Sequence, residues 1–255
     1  MDYSIKIGGE AGQGIQTVGD TLAKVFSRTG FHVFTNQDYE SRVRGGHNFY
    51  QIRFSDKPIM ASREKVDILV ALDKESIEQH EKELSAIGQI IYDSTDLKIP
   101  KQVRNDIPSN SKLLTPNYLD IPFIKLAVES GGSKIMANTV ATGAVLGMLG
   151  MDLDILIAII KDTFKKKGEQ VINSNISAAM AGHDFAAKNC MRCSFSPAVT
   201  GSPLKPKMLI NSVEAIGLGA IASGCKFYSA YPMTPSTGIM NYIAGREKEF
   251  GIIVE

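Results

Sequence analysis

The order of apolar runs and glycines over residues 3–36 constrains the fold most strongly. The segment YSIKIGG is a β-branched run that ends in glycines, and HVFTN is a second extended run. Between them, GIQTVGDTLAKVFSRTG carries apolar residues at helical spacing from Ile15 to Phe26 and ends at Gly30. The order strand, glycine-rich turn, helix, strand predicts a βαβ unit with parallel pairing and a right-handed crossover.

Further strands and helices continue this pattern. NFYQIRFSDKPI predicts a strand and a turn, VDILVAL is the continuous apolar run of a strand buried on both faces, and QIIYDS predicts another strand. Apolar periodicity then predicts helices over residues 119–130, 138–149, 153–167 and 170–187. We therefore expect an α/β fold with a Rossmann-like, mostly parallel sheet and a helical C-terminal part.

A composition change marks a domain boundary. Residues 193–206, CSFSPAVTGSPLKP, are rich in proline, serine and threonine and lack periodicity, which is typical of a linker. A new helix and strand pattern follows, with Asn211 as the predicted N-cap of the helix and Glu214 three residues later. We expect one domain over 1–192 and the start of a second over 207–255. Two strands cannot close a core of their own, so this piece either packs on the first domain or, as we expect, is the start of a domain in a longer chain.

Charge and hydropathy exclude several classes of function. The chain has 255 residues and a formal net charge of +1, which argues against electrostatic binding to nucleic acid or to an anionic membrane. It has no apolar run of the roughly 20 residues that a membrane span needs, and the N-terminus has no signal-peptide pattern. The three cysteines do not make a disulfide framework, so we expect a cytoplasmic protein.

A first candidate site is the glycine-rich turn IGGEAGQGI. Gly9, Gly12 and Gly14 lie between a strand and a helix, where the backbone turns tightly and the helix N-terminus offers free N–H groups to an anion. The spacing is G-x-x-G-x-G, not the dinucleotide pattern G-x-G-x-x-G, so it does not indicate NAD. A tight turn with no ligand is the alternative.

A second candidate site is the loop YESRVRGGHNF. Arg42 and Arg44 precede Gly45 and Gly46, and two guanidinium groups beside a flexible backbone suit a phosphate or carboxylate. A solvent-facing loop is the alternative. If the first and third strands are neighbours, this loop shares a sheet edge with the Gly9–Gly14 turn.

The pair Cys190-x-x-Cys193 supplies half of the ligands that zinc or an iron–sulfur cluster needs. Cys225 is the remaining cysteine. We expect unliganded thiols at the edge of the domain, and no metal ligands in this chain.

The segment SAYPMTPSTGIM is the third candidate site. Proline disfavours the helical region for the residue before it and suits the first helical position, so we expect Thr234 as N-cap and Pro235 as the first residue of a helix. With CKFYSAY as the preceding strand, Thr234 and Ser236 would lie at the ligand-facing edge of a parallel sheet. The alternative is that Thr234 is a cap alone, which contributes about 1 kcal/mol.

These motifs resemble the 2-oxoacid:ferredoxin (acceptor) oxidoreductases, the family of pyruvate and 2-oxoglutarate:ferredoxin oxidoreductases. AYPMTPST is similar to the signature Y-P-I-T-P-S-S/T that opens the α region of these enzymes, with Met233 in place of isoleucine. GGEAGQGI, SRVRGGHN and KKKGEQVINSNISAAMAG are similar to parts of the γ region. A γ region ahead of an α region is the arrangement of the large subunit in two-subunit members.

The resemblance implies an enzyme of anaerobic metabolism that decarboxylates a 2-oxoacid, such as 2-oxoglutarate or pyruvate, to an acyl-CoA and reduces ferredoxin. Thiamine diphosphate would lie between the α region and a separate β subunit, which holds the diphosphate and a [4Fe–4S] cluster. Thr234 would hydrogen-bond the substrate or the reacting thiazolium adduct, and Tyr231, Pro232 and Ser236 would lie on the cofactor side. The Gly9–Gly14 and Arg42–Gly46 loops gain a candidate role in contacts with coenzyme A.

Two other functions remain open at this point. The chain lacks the activating glutamate and the carboxylate-binding arginine that the family places later, so it would be inactive alone and is also compatible with a non-catalytic assembly or docking module. A generic nucleotide-binding domain is the third reading, and tight binding of NAD or ATP by the isolated chain would favour it.

Overall fold

The computed structural model describes residues 1–40, 46–95, 117–190, 195 and 205–255. The predicted loop residues Arg42, Arg44 and Gly45 lie outside these ranges, as do Cys193 and most of the predicted linker. The chain divides into two compact units, Met1–Lys207 and Met208–Glu255.

The first unit alternates strands with helices and then becomes helical. In chain order its elements are β1 (Asp2–Glu10), α1 (Ile15–Thr29), β2 (His32–Tyr39), β3 (His47–Ser55), β4 (Val66–Ala71), α2 (Lys74–His80), a 3-10 turn (Glu81–Glu83), β5 (Leu84–Tyr92), β6 (Asn117–Asp120), α3 (Phe123–Glu129), a second 3-10 turn (Lys134–Met136), α4 (Ala137–Leu149), α5 (Asp154–Phe164) and α6 (Glu169–Asn189). The helix expected over 119–130 is a short strand followed by α3.

The six strands form one mixed sheet in the order β2-β3-β1-β4-β5-β6. The pairs β1–β4, β4–β5 and β5–β6 are parallel, whereas β3 is antiparallel to both β1 and β2. The mostly parallel α/β sheet is therefore confirmed, but the expected pairing of β1 with β2 is wrong. The reason lies in burial, because β3 is buried at most positions and takes the inner place, while the more polar β2 is only partly covered and suits an edge.

Helices cover both faces of this sheet. On one face, α1 and the C-terminal helices build the main core around Phe26 and Phe54, whose rings stack with centroids 4.0 Å apart. Complete burial of such a side chain contributes about 1.5–3 kcal/mol to the free energy of unfolding. On the other face, α2 packs Ile77 against Leu69 and Ala71 of β4. The layers are helix, sheet and helix, as expected for a doubly covered parallel sheet.

The helices α4 and α6 lie unusually close together. A Cβ atom added at Gly143 would overlap the backbone of Ala179, and one added at Gly182 would overlap the backbone of Val140. The two backbones can come this close because the glycines of each helix, which have no Cβ atom, face the main chain of the other helix.

The second unit contains α7 (Ser212–Ala222), β7 (Phe227–Tyr228), α8 (Ser236–Ala244), α9 (Glu247–Phe250) and β8 (Ile253–Val254), with β7 parallel to β8. The predicted cap of α7 is confirmed, since Asn211 and Glu214 form a reciprocal capping box. Within this unit the buried apolar side chains are Ile243 and Ile252. Such a small core agrees with the expectation that two strands do not close a core.

Candidate functional site

The glycine-rich turn connects β1 to α1 at the carboxyl end of the sheet. Gly12 and Gly14 have φ angles of 94° and 84°, a left-handed conformation that favours glycine, and Gly14 is the N-cap of α1. A Cβ atom at Gly12 would meet open space, whereas Gly9 is enclosed by Gln13 and Leu72. The positive φ angles account for Gly12 and Gly14, and the open side of Gly12 leaves room for a ligand.

Gly14 also brings a second helix to this edge of the sheet. Its α-carbon lies against the side chain of Asn138, in the first turn of α4, so closely that a Cβ atom would overlap the amide group. The N-termini of α1 and α4 are therefore neighbours. The positive ends of both helix dipoles face this region, and the first turn of α1 offers free backbone N–H groups, whereas the Ala137 N–H of α4 already donates to Lys134 O, so α1 is the main donor to an anion here.

Two clefts open on either side of Gly12, which lines both of them. The first, of about 320 Å³, lies at the ends of β4 and β5 and beside the start of α4, and its lining includes Gln13, Leu72, Asp93, Phe123, Ile124, Lys134, Ile135 and Asn138. The second, of about 490 Å³, is lined by Ala11, Gly12, Gly14, Ile15, Gln16, Gln37, Tyr39 and Asn48. Clefts at the carboxyl ends of parallel strands are the usual ligand sites of open α/β sheets.

In the first cleft, Lys134 supplies a cationic side chain beside an apolar surface. The buried Asp93 has a structural role, because one carboxylate oxygen accepts from the backbone N–H of Thr95 at 2.9 Å and the other from that of Ile124 at 3.3 Å. Sequence reasoning missed Lys134 and Asn138. The available signals were the glycine pair of ESGGSK, which directly precedes this segment and contains Lys134, and the predicted helix over 138–149, which Asn138 begins.

The second cleft meets the edge where the arginine loop was expected. β1 and β3 are neighbours, with Glu10 opposite His47, so the expected sharing of a sheet edge is confirmed for the described end of the loop. Gly46 is exposed and has a φ angle of 72°. Arg42, Arg44 and Gly45 lie outside the described residues, so their predicted role in anion binding stays a prediction.

The third candidate site is a turn in the second unit. Helix α8 begins at Ser236 with Pro235 as its N-cap and no side-chain cap, so the expectation that Thr234 caps the helix is wrong. The reason is that Ser236 closes the turn, since its hydroxyl donates to the carbonyls of Tyr231 at 2.8 Å and Met233 at 2.5 Å. The Thr237 N–H completes the turn by donating to Met233 O at 3.2 Å.

This arrangement leaves the Thr234 side chain exposed, and among the described residues its hydroxyl has no hydrogen-bond partner. Tyr231 is 80% exposed and Pro232 is also exposed, whereas the Ser236 hydroxyl is committed to the turn. The turn lies in a different unit from the glycine-rich loop.

The cysteines do not form a described metal site. Cys190 is disulfide-bonded, so the expectation of a free thiol is wrong at this position, and Cys193 lies outside the described residues. Cys225 is a free thiol. In the described part of the chain, no group of three or more His, Cys, Asp or Glu is arranged to hold a metal ion.

None of the described helices combines the length and apolar character needed to cross a membrane.

Comparison with known proteins identifies the family. Residues 4–185 match the family model of pyruvate ferredoxin/flavodoxin oxidoreductase. The chain is 24% identical, over 97% of its length, to the alpha subunit of a 2-oxoacid:ferredoxin oxidoreductase from a Sulfolobus species. It spans 43% of the length of that relative.

Solved structures agree with this assignment. The chain aligns over 99% of its length, with 28% identity and a TM-score of 0.82, to the 2-oxoglutarate:ferredoxin oxidoreductase of Magnetococcus marinus with 2-oxoglutarate, coenzyme A and succinyl-CoA bound, and it covers 42% of that chain. The gamma subunit of a keto/oxoacid ferredoxin oxidoreductase from Geobacter sulfurreducens matches 74% of this chain and 98% of its own, with 26% identity and a TM-score of 0.57. The expected resemblance is thus confirmed, and the chain belongs to the pyruvate ferredoxin/flavodoxin oxidoreductase family.

Proposed function

We propose that this chain is the γ region and the start of the α region of a 2-oxoacid:ferredoxin oxidoreductase. In this proposal, residues 1–192 are the γ-type domain, 193–206 the linker and 207–255 the first part of an α-type domain. The observation that supports it most strongly is the continuity of the likeness, because a single chain of the Magnetococcus marinus enzyme aligns with 99% of this chain, across both units.

The proposed reaction is the oxidative decarboxylation of a 2-oxoacid to an acyl-CoA, with electrons passed to ferredoxin. Thiamine diphosphate supplies the electron sink for this chemistry when bound. The turn around Thr234 fits a position beside such a group, because its hydroxyl is exposed and uncommitted while Ser236 holds the turn in shape. Thr234 would donate a hydrogen bond to the substrate, and Tyr231 and Pro232 would line the same edge.

Two parts of the proposed enzyme lie in a partner. We propose a β subunit that holds the diphosphate of the cofactor and a [4Fe–4S] cluster. The second unit exposes large apolar side chains, among them Phe227 at 56%, Met233 at 65% and Ile253 at 63%. Apolar surface of this kind favours contact with further protein. A non-catalytic docking module would need the same apolar surface, so this surface supports both roles. A measurement of enzymatic activity is needed to distinguish the catalytic subunit from the docking module.

We propose that coenzyme A binds to the first unit. The exposed side of Gly12 and the adjoining N-termini of α1 and α4 suit a diphosphate, and Lys134 adds a positive charge at the first cleft. The apolar part of this cleft, which includes Leu72 and Phe123, suits the adenine ring. A generic nucleotide-binding domain would use the same features, but the family assignment favours coenzyme A.

The function is tested with the complete subunit that contains this chain, purified with its β partner and loaded with cluster. Reduction of methyl viologen is measured with a panel of 2-oxoacids, in the presence and absence of coenzyme A and of thiamine diphosphate. The proposal predicts turnover with at least one 2-oxoacid that requires both compounds. A cluster-loaded complex that reduces no viologen with any of the 2-oxoacids contradicts it and favours the docking module.

A further inference from the structure

A chain of polar side chains is enclosed between the sheet and α2, on the face opposite the main core. Lys6 of β1 forms an ion pair with Glu83, and Glu83 Oε1 lies 2.8 Å from His80 Nδ1 at the end of α2. The Nε2 atoms of His80 and His47 are 2.7 Å apart. Lys6, His47 and His80 are each at most 5% exposed. The proposed reaction uses none of these groups.

The hydrogen-bond partners assign the protons along this chain. Because a carboxylate only accepts, His80 Nδ1 carries a proton and donates it to Glu83. His80 Nε2 is then the acceptor, and His47 Nε2 is the donor in the bond between the two rings. This leaves His47 Nδ1 without a proton, and it is a buried atom with no partner among the described residues.

One added proton keeps this bond, because one Nε2 is still a donor and the other an acceptor, but it places a positive charge on a buried ring near Lys6. Two added protons would make each Nε2 a donor and break the bond. Burial is the main cause that lowers the pKa of His80, and the nearby Lys6 and His47 lower it further, while Glu83 raises it in part. The neutral pair is thus the state that the fold favours.

The groups around the pair come from every neighbouring element. Lys6 on β1 stands 3.4 Å from His80 Nδ1 and lies over the ring of Phe49 on β3. Glu40, which follows β2, accepts from the backbone N–H of His47 at 3.0 Å, and Glu10 is opposite His47 in the sheet.

The other packed elements add one further partly buried charge near the pair among the described residues, Asp73 at the N-cap of α2, which accepts from Ser76 through Oδ1 while its Oδ2 has no partner in the described part of the chain. On β4, Leu69 and Ala71 face α2, and Asp67 is paired with Arg63 and accepts from Ser85. A proton added to the pair would therefore introduce a positive charge close to Lys6, and Glu83, the carboxylate that contacts His80, already forms an ion pair with that lysine.

The pair links α2 to the candidate site. His47 is the first residue of β3, and the next residue, Asn48, lines the second cleft. A Cβ atom at Gly8 would lie 3.2 Å from His47 Cε1 and closer still to Ser76 of α2, so the two elements meet tightly at this point. A buried positive charge on the pair therefore destabilises the packing at the start of β3.

We propose that the His47–His80 pair is a proton-sensitive brace, which holds the start of β3 and the adjoining second cleft in place when both rings are neutral and releases them on acidification. The brace requires His47, His80 and Glu83 together. It goes beyond the proposed reaction and does not depend on it.

Hydrogen exchange and histidine NMR of the complete subunit test the proposal between pH 7.5 and pH 5. After correction for intrinsic exchange, the opening equilibrium at the amides of Asn48 and Phe49 should rise about tenfold per pH unit over the window in which the pair takes up one proton. The variant His80→Gln keeps a neutral polar group and should flatten this pH dependence. The matched control His183→Gln, on α6, should leave it unchanged.

The titration of the wild-type rings serves as a second measurement if His80→Gln fails to fold. The proposal expects at least one ring of the pair to titrate below the ordinary histidine pKa of about 6.5. Ordinary titration of both rings, or exchange at Asn48 and Phe49 that is independent of pH after correction, would overturn the proposal. A pH response that persists unchanged in a folded His80→Gln variant would also overturn it.

Discussion

Gly14 and Asn138 touch across the glycine-rich turn, so that the N-cap of α1 rests against the first turn of α4. They are far apart in the sequence, yet this contact sets the distance between two helix N-termini. It explains why glycine stands at the N-cap of α1, where serine, threonine or asparagine would ordinarily cap the helix.

Replacement of Gly14 tests this contact. Gly14→Ala should lower the free energy of unfolding by more than the roughly 1–2 kcal/mol of a left-handed alanine, because the new methyl group also displaces Asn138. Urea unfolding of the subunit followed by circular dichroism measures the loss.

Gly131 is the matched control for this substitution. It has a φ angle of 77°, and a Cβ atom there would meet open space. Gly131→Ala therefore measures only the loss of stability caused by alanine in a left-handed backbone conformation. The double variant Gly14→Ala, Asn138→Ala should recover part of the loss. Equal losses of unfolding free energy in Gly14→Ala and Gly131→Ala would show that the contact between Gly14 and Asn138 does not affect stability.

A second prediction concerns the close pair of helices. Gly143→Ala should destabilise the first unit by about 1–3 kcal/mol or more, because the methyl group would enter the backbone of α6 at Ala179. Gly219→Ala, in α7, meets nothing within 4 Å and should be neutral or stabilise by about 0.5–1 kcal/mol. Thermal unfolding measures both variants, and a neutral Gly143→Ala would contradict the observed separation of the helices.

Much of this fold was predictable from local patterns. The run VDILVAL became β4, buried along its whole length, and the periodicity over 138–149 became α4, because both signals come from residues close in sequence. The place of β3 between β1 and β2 was not predictable in this way. It depends on which strands bury which faces, and this is a property of the assembled sheet.

The candidate site shows the same limit. Gly12 and Gly14 stand out because a strand, a turn and a helix follow each other directly. Lys134 and Asn138 reach the same edge only through the packing of α4, which no local motif encodes. The sequence pattern favours Thr234 as a cap, but Ser236, two residues later, forms the hydrogen bonds of this turn instead.

The stability of the subunit should depend on pH in two separate windows. The lowered pKa of His80 means that the unfolded chain binds more protons, so this stabilisation is complete above about pH 6.5 and is lost as the pH falls towards the folded value. Burial acts to raise the pKa of Glu83, but the hydrogen bonds and charges of Lys6 and His80 together lower it, so the contribution of Glu83 to stability is lost as the pH falls below about 4.5. Denaturant midpoints between about pH 3 and pH 8 measure both windows, and Glu83→Gln should remove the loss that begins below about pH 4.5.

Lys134 should contribute to the binding of coenzyme A. In the active complex, Lys134→Ala should raise the KM for coenzyme A about tenfold, the effect of losing roughly 1.4 kcal/mol of charge-assisted binding, with little change in kcat. Lys125→Ala is the control, because this exposed lysine of α3 pairs with Glu129 and does not line the cleft. Equal KM values for the two variants would place coenzyme A elsewhere.

We propose that this chain contributes directly to 2-oxoacid turnover, and kcat of the Thr234→Ala complex measures this contribution. Thr234 does not cap α8, so its loss should leave the unfolding midpoint unchanged while kcat falls roughly 100-fold, the scale of a lost hydrogen bond to a reacting group. Thr234→Ser keeps the hydroxyl and should stay within a few-fold of the wild type. A Thr234→Ala complex that turns over as fast as the wild type would show that Thr234 makes no hydrogen bond to the reacting group and would contradict the proposal.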